Sequence, residues 1–429
     1  MSGRKRRGFS IGSVMMLLFT AAVLGGSAFV LLRLSSGHSV DLSRLNTQII
    51  SMTGTNASAS GSEGAENGRE QATAKTAQGQ SRPSPTPELP KERQTVLTFG
   101  GTIAVEENIR KSGYAADSKK YDFTDFFTLL KPEIQGSCSG VFLENLVMED
   151  AKVSPTVIPE PGAEMIRSAG FSLCFSGFGK AWDKAENGIQ TTLRNLQKHG
   201  VTPLGLCAQE IEKRYIVRES DGIRIAYMQY TDTVAPNTRK TMRKRQSDFM
   251  IPNADPDLIS SDIAAARADG AQAVIVLLNW GKVGEKNPDK AQMLLAQQIA
   301  DSGADLIIGA GSRMPQRVEK LIASDGRQVL CAYSLGTLIS DSRKSAGRMS
   351  GFLLHVHLTL DPDQHLSIGN VTYTPTYIWK YRQDSKDYYR VLASDRPSPD
   401  GMDSDQIKQM QKAMKAVQEA LEGSPVSLR

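Results

Sequence analysis

Histidine is scarce in this 429-residue chain, and the five that occur are poorly placed to hold a metal. His38 lies beside an N-terminal apolar stretch, His199 precedes Gly200 at the end of a helical pattern, and His355, His357 and His365 fall in a late strand pair. Hydrolytic metal centres draw most of their ligands from imidazole and carboxylate groups that converge at strand ends. None of the five follows a buried strand at a turn, so a conventional catalytic metal centre is not expected. His355 and His357 share one strand face but have no acidic or cysteine neighbour to complete a site. No Cys-x-x-Cys pair occurs, which removes thiolate zinc sites and dithiol redox chemistry. Cys138, Cys174, Cys207 and Cys331 all lie in or beside apolar runs. Two disulfides in any of three pairings, or buried free thiols, are both open.

A second absence is regional. From Thr53 to Glu88 there is no Leu, Ile, Val, Met or aromatic residue. Such a segment cannot bury enough apolar surface to offset its ordering entropy, so it is expected to be a flexible tether, stiffer at Pro83-Ser84-Pro85-Thr86-Pro87. Ahead of it, charge is missing between about Ile11 and Leu32, a length that spans a hydrocarbon layer of roughly 30 Å. Arg4-Lys5-Arg6-Arg7 predicts a cytoplasmic N-terminus, with everything after Arg33 outside the cell. A cleaved signal peptide is the rival reading, because Ala21-Ala22 and Gly25-Gly26-Ser27-Ala28 are small. The apolar run continues past them through Phe29-Val30-Leu31-Leu32, which favours an uncleaved single-pass anchor. Four of the five net positive charges come from residues 4–7, so the exported part is nearly neutral and no nucleic-acid partner is expected.

Beyond the tether, apolar runs at 96–99, 140–147, 171–176, 202–207, 224–230, 273–278, 305–309 and 327–333 alternate with helical patterns near 161–169, 185–199, 256–268 and 289–302. That alternation predicts one large α/β domain with a mostly parallel or mixed sheet under helices. Ser220-Asp221-Gly222 signals a hairpin, and the runs from Gly351 to Leu360 and from Leu366 to Tyr373 add an antiparallel portion. The chain divides into a basic cytoplasmic tip (1–10), a transmembrane helix (11–34), a disordered linker (35–93), the domain (94–380) and a C-terminal extension (381–429). In the extension, Asp403 with Gln406 forms a capping box, and Ile407, Met410, Met414, Val417 and Leu421 recur at alternating three and four. That stripe either packs back on the domain or pairs with a helix of an envelope protein. Two heptads make a weak coiled coil, which favours the first.

Several segments carry a more specific pattern. Residues 273–319 read as a buried strand, a Trp280-Gly281 turn, an amphipathic helix with Pro288 and Gln292, Gly303-Ala304-Asp305 opening a second strand, and a glycine-rich exit at Gly309. Earlier come a strand ending in Gly100-Gly101, the strand end Asn145-Leu146, and Ala181 with Asp183; later comes Tyr333-Ser334-Leu335-Gly336. In this order, over roughly Gln94 to Lys380, the frame resembles the CapA family of bacterial poly-γ-glutamate capsule proteins. The resemblance implies a four-layer α/β/β/α metallophosphatase-like sandwich with its site at the carboxyl ends of the strands, where open α/β sheets place ligands. It also implies lost chemistry. Gly101 stands where the family has a metal-binding aspartate, Val147 and Val283 where it has glutamates, and Lys180, Asn279, Gly311 and Arg313 where it has histidines. Neither a metal nor another cofactor is expected.

The leading expectation is a membrane-anchored, extracytoplasmic, non-catalytic binding or scaffold component for a capsule or envelope polymer. The alternative is a divergent hydrolase or polymer-transferring enzyme that works without the usual metal ligands, with Glu144 or Asp183 as catalytic candidates. Asp183 reads more readily as a helix-start residue than as an acid catalyst. Candidate ligand-binding residues of the cleft are Asn145, Lys180, Trp182, Asn279, Trp280 and Arg313. The tryptophans would form an apolar wall, and the cations would hold carboxylate or phosphate. Arg239, Lys240, Arg243, Lys244 and Arg245 put five cations in seven residues after a strand end. They are expected as a loop near the cleft mouth, either gripping an anionic polymer or simply solvated.

Overall fold

The computed structural model describes residues 91–134, 136–149, 155–210 and 213–429. The basic tip, the expected membrane span and the linker up to residue 90 lie outside them. Among the described residues no helix is long and apolar enough to cross a membrane.

Two sheets carry a mixed α/β fold. The chain enters the first sheet with β1 (Arg93–Ile103), β2 (Cys138–Leu143), β3 (Leu173–Phe175) and β4 (Thr202–Leu204), which pair in parallel. It then builds the second with β5 (Tyr215–Ser220), β6 (Ile223–Thr231), β7 (Ala273–Asn279), β8 (Leu306–Ala310), β9 (Val318–Ile322) and β10 (Gln328–Ala332), in the order β9-β10-β8-β7-β6-β5. It returns to the first with β11 (Thr337–Ile339), β12 (Ser350–Leu360), β13 (Leu366–Gln383) and β14 (Lys386–Ala393). The order there is β14-β13-β12-β1-β2-β3-β4, with β11 parallel to the end of β1. The helices used below are α1 (Pro161–Ala169), α2 (Ala185–Lys198), α3 (Pro236–Lys244), α4 (Pro256–Ala268), α5 (Lys290–Asp301) and α6 (Ser404–Ala420).

Side-chain alternation explains the layering. Leu97, Phe99, Phe142 and Phe175 of the first sheet meet Ile225, Tyr227, Ile275 and Ile308 of the second in one core between the sheets. The intervening residues point the other way, as strand geometry requires. Val141, Leu143 and Cys174 pack with Ala163, Ile166 and Leu196 of α1 and α2. Val274, Val276 and Ile307 pack with Ile259, Ile263, Ala296 and Ile299 of α4 and α5. The layers therefore run helix, sheet, sheet, helix, and the parallel strands of both sheets are buried on both faces.

Several expectations need correction or completion. The run 239–245 is not a loop: Pro236 stands at the first helical position, where its missing N–H costs nothing, and residues to Lys244 form α3. Segment 381–429 is not an appendage, because β13 extends to Gln383, β14 extends the same sheet, and α6 packs on it through Met410, Ala413, Val417 and Leu421. The capping box at Asp403 and Gln406 is formed in both directions. The hairpin forms at Asp221 and Gly222, both at positive φ. All four cysteines are buried and free. His355 is buried between the hydroxyls of Thr98 and Thr374, and burial pushes its pKa down to about 3, so it is a neutral core residue.

His199, just past α2, clamps α1. Its Nδ1 lies 2.9 Å from Glu164 and its Nε2 2.9 Å from Glu160. Desolvation opposes the imidazolium, but the two carboxylates outweigh it and raise the pKa. A raised folded-state pKa means the clamp contributes fully below the unfolded value of about 6.5 and fades as pH rises through the folded value. His199→Gln is expected to lower stability by about 1 kcal/mol near pH 5.5 and by clearly less near pH 8.5 in urea unfolding. An equal loss at both would show that the ion pairs do not form.

Candidate functional site

The carboxyl ends of β1, β2, β3, β6, β7 and β8 open into one cavity of about 460 Å³. Glu106, Glu144, Asn145, Lys180, Asn279 and Arg313 all line it, so segments far apart in sequence are gathered there by the two sheets. At its centre is a guanidinium. Arg313 Nε donates to Glu144 Oε2 at 2.7 Å, Nη2 lies 2.6 Å from the same oxygen, and Nη1 donates to Glu106 Oε1 at 2.9 Å. The other oxygen of Glu144 accepts from the Asn279 amide at 3.1 Å, and Asn279 Oδ1 accepts from Thr233 at 2.7 Å. Arg313 itself sits at φ 54°, a left-handed conformation that is costly for a side-chain-bearing residue, with its carbonyl held by the Thr337 hydroxyl at 3.0 Å.

Burial works against the charges of Arg313, Glu106 and Asp341. For Arg313 the charges and hydrogen bonds of Glu144 and Glu106 overcome it and raise the pKa. Glu106 is held below the usual carboxylate range because the Asp341 side chain and N–H, together with Arg313, outweigh desolvation. Asp341 takes the opposite shift: desolvation and its bond with Glu106 push it up to about 6. The cluster is a caged cation with an acid–carboxylate pair behind it. Two further cations stand near it without an ion pair among the described residues. Lys180 is exposed on the cavity rim, and Arg348, half-buried, is close enough for Arg313, Glu106 and Glu144 to act on its charge.

The remaining sequence candidates have other places. Trp280 is fully buried, stacks on Tyr333 at 5.7 Å and donates its Nε1–H to the Tyr333 carbonyl at 2.8 Å, so it supports the cleft from behind and does not wall it. Trp182 packs in the cluster of Phe178, Ile189 and Met242; Phe178 is the aromatic residue that reaches the cavity. Asn145 clamps the backbone of Val105 at 2.7 and 3.2 Å. Asp183 is exposed and outside the cavity lining. Arg239 is spent on Asp248 and the carbonyls of Ile251 and Thr231, Arg243 on Asp248, and Arg245 on Glu186. Lys240 and Lys244 are exposed, but neither lines the cavity. Sequence reasoning missed Glu106, Asp341 and Arg348. For Glu106 a signal existed, an acid just past a buried strand end.

The donor set does not fit a metal centre. The cavity carboxylates, Glu106 and Glu144, are already bonded to a protein cation, and Val147 is buried in the outer core of the first sheet. The backbone has also closed over two of the ligand positions that the resemblance implies. A Cβ on Gly101 would meet the Gly336 carbonyl oxygen at 2.6 Å. One on Gly311, at φ 114°, would meet the Trp280 oxygen at 2.4 Å. Gly101→Asp and Gly311→His are therefore expected to cost more than about 2 kcal/mol each and to bind no metal, as read by urea midpoints and elemental analysis. A stable double variant with stoichiometric metal would show that the backbone can still open.

Comparison with known proteins places this site in a family. The family model described as "Bacterial capsule synthesis protein PGA_cap" matches residues 96–342. The PGA biosynthesis protein CapA of Bacillus subtilis is 24% identical over 237 residues, 54% of this chain and 60% of that protein. The capsule biosynthesis protein CapA of Bacillus anthracis is 24% identical over 264 residues, 58% of this chain and 61% of that protein. The chain thus spans about three fifths of the length of these relatives. Among solved structures, an NAD nucleotidase of Haemophilus influenzae aligns with a TM-score of 0.43 at 11% identity, covering 79% of this chain and 57% of that one. A calcineurin-like phosphoesterase, YfkN of Bacillus subtilis, aligns at 0.39 and 12%, covering 76% and 99%. The family match spans more than half of the chain and every strand end that builds the cavity, and on that ground the chain belongs to the PGA_cap family of bacterial capsule synthesis proteins.

Proposed function

We propose that this chain is a non-catalytic component of capsule or envelope polymer assembly that binds an anionic, polyglutamate-like polymer in the cleft between the strand ends. The observation that carries the non-catalytic part of this reading is Arg313 held between Glu106 and Glu144: the pairing fixes the shape of the cleft and occupies carboxylates that hydrolytic chemistry would otherwise use. It also neutralises Arg313, so the anion-binding part rests on the rim and not on the guanidinium. The relatives' names supply the polymer class, and Lys180 supplies a cation at the rim for a carboxylate. The membrane anchor at residues 11–34, with the domain outside the cell, belongs to the same proposal and rests on the basic cluster and apolar run of the sequence.

The catalytic alternative finds little support. Glu144 has both oxygens engaged, by Arg313 and by Asn279, and Asp183 lies away from the cavity. Neither is poised to take a proton from a substrate.

The two cations of the cleft are expected to behave differently. Arg313→Ala removes one member of a buried cluster and strands two carboxylates, so it should cost about 3 kcal/mol or more in urea unfolding. Lys180→Ala should leave stability within about 0.5 kcal/mol of wild type and weaken binding of polyglutamate in a titration of the purified full-length protein. That binding should also weaken as salt rises, because exposed charge contacts are screened. Unchanged affinity in Lys180→Ala would remove the cleft as the site. Elemental analysis showing a stoichiometric metal whose chelation abolishes a phosphoester-hydrolysing activity would overturn the non-catalytic reading.

A further inference from the structure

The chain past residue 342, where the family match ends, helps to build a second concave surface next to the cleft. One face of α6 is buried through Met410, Ala413 and Val417. Beside the helix runs a groove of about 320 Å³, floored by Met314, Pro315, Ala346 and Ala416. Its polar edge carries Asn287, Ser345 and the acid Glu419 together with three cations, Lys286, Lys412 and Lys415. Of the three cations only Lys415 has an ion pair among the described residues, with Glu419 at 3.8 Å. Isolated exposed lysines are ordinary; lysines converging on one apolar-floored groove call for an occupant of opposite charge.

The groove and the cleft share walls. Segment 281–287 gives Gly281 and Val283 to the cleft and Lys286 and Asn287 to the groove. Segment 311–315 gives Gly311 and Arg313 to the cleft and Met314 and Pro315 to the groove. The two segments are tied into one ridge: Gly284 N–H donates to the Ser312 carbonyl at 2.8 Å, and the Gln316 amide donates to the Glu285 carbonyl at 3.1 Å. Arg348 lies against this ridge, with Nη1 3.9 Å from where a Cβ on Gly284 would stand. Cations thus stand at the cleft rim, against the ridge and at the groove.

We propose that the groove beside α6 is a second anion-binding site, which takes the continuation of the polymer whose first units occupy the cleft. Its occupant is a chain of repeated carboxylates joined by short apolar stems, of which polyglutamate is the type. The carboxylates meet Lys286 and Lys412, and the stems lie on the floor of Met314, Pro315 and Ala416. This inference rests on the polymer-binding reading of the cleft. A ligand that engages both sites gains from the high effective concentration of its second half, so affinity must grow with chain length.

The test is fluorescence anisotropy with labelled polyglutamate of two lengths, one that fills only the cleft and one that also spans the ridge. Both are titrated against the full-length protein, its Lys286→Glu, Lys412→Glu variant and its Lys180→Ala variant. Wild type is expected to bind the long chain more tightly than the short one. The double variant should lose about tenfold on the long chain at low salt and nothing on the short one. Far-UV circular dichroism and urea midpoints, expected to be unchanged, report that the double variant is folded. Equal affinity of wild type for both lengths, or an unchanged long-chain affinity in the double variant, overturns the groove proposal; the cleft reading stands if Lys180→Ala still weakens both lengths. Failure of wild type to bind either length overturns both. Should the double variant lose binding to anionic lipid vesicles and keep full affinity for polyglutamate, the groove is a membrane contact and the proposal is wrong.

Discussion

The cleft depends on one buried charge. Arg313 comes from the exit of β8 in the second sheet, while Glu106 and Glu144 follow β1 and β2 in the first. The cluster therefore ties the two sheets at the edge where their strands end. Without the guanidinium, two half-buried carboxylates would face each other and would have to protonate or separate. Without the carboxylates, the arginine would be an unpaired charge in a left-handed backbone position. Each residue is tolerable only because the others are present. That mutual dependence makes the arrangement hard to leave by single substitutions.

Much of this was legible in the sequence because it is local. Strand and helix positions follow from period, the hairpin from Asp221-Gly222, and the α6 cap from Asp403 and Gln406. Other features depend on which way a side chain turns, and period does not report that. Trp280 beside a strand end reads as a cleft wall, yet it is turned into the core. The clue lay thirty residues on: Gly309 interrupts a buried strand, and a Cβ there would meet Trp280 Nε1 at 2.4 Å. A glycine inside a strand often marks such a close approach. α3 escaped notice because only Arg239 and Met242 of its nine residues are buried, leaving almost no apolar stripe to detect. The extension was separated from the domain because nothing local announces that β14 extends a sheet begun by β1 or that α6 packs on it.

The residues shared with the family frame mostly hold the scaffold. Gln292 closes the capping box of α5 with Asp289. Asp305 accepts from Val274 N–H at 2.7 Å and pairs with Arg267 at 2.6 Å, fixing β7 and β8 to α4. Trp280 and Gly309 fit each other, and Tyr333 takes the indole hydrogen bond. These contacts join strands to helices behind the cleft, and none of these side chains lines it. A scaffold can therefore persist while the strand ends change freely.

What the strand ends now offer is a question of charge placement. Inside the cavity one guanidinium faces two carboxylates, with a third acid behind them titrating near 6, so the interior is not a strong anion trap. The cations with no ion pair among the described residues, Lys180 and Arg348, stand around that cluster. A ligand with single charges spread along its length can meet one cation at a time and leave the acids untouched. The proposed polymer reading rests on that contrast, since a chain of single charges can meet Lys180 at the rim without entering the acid-rich interior.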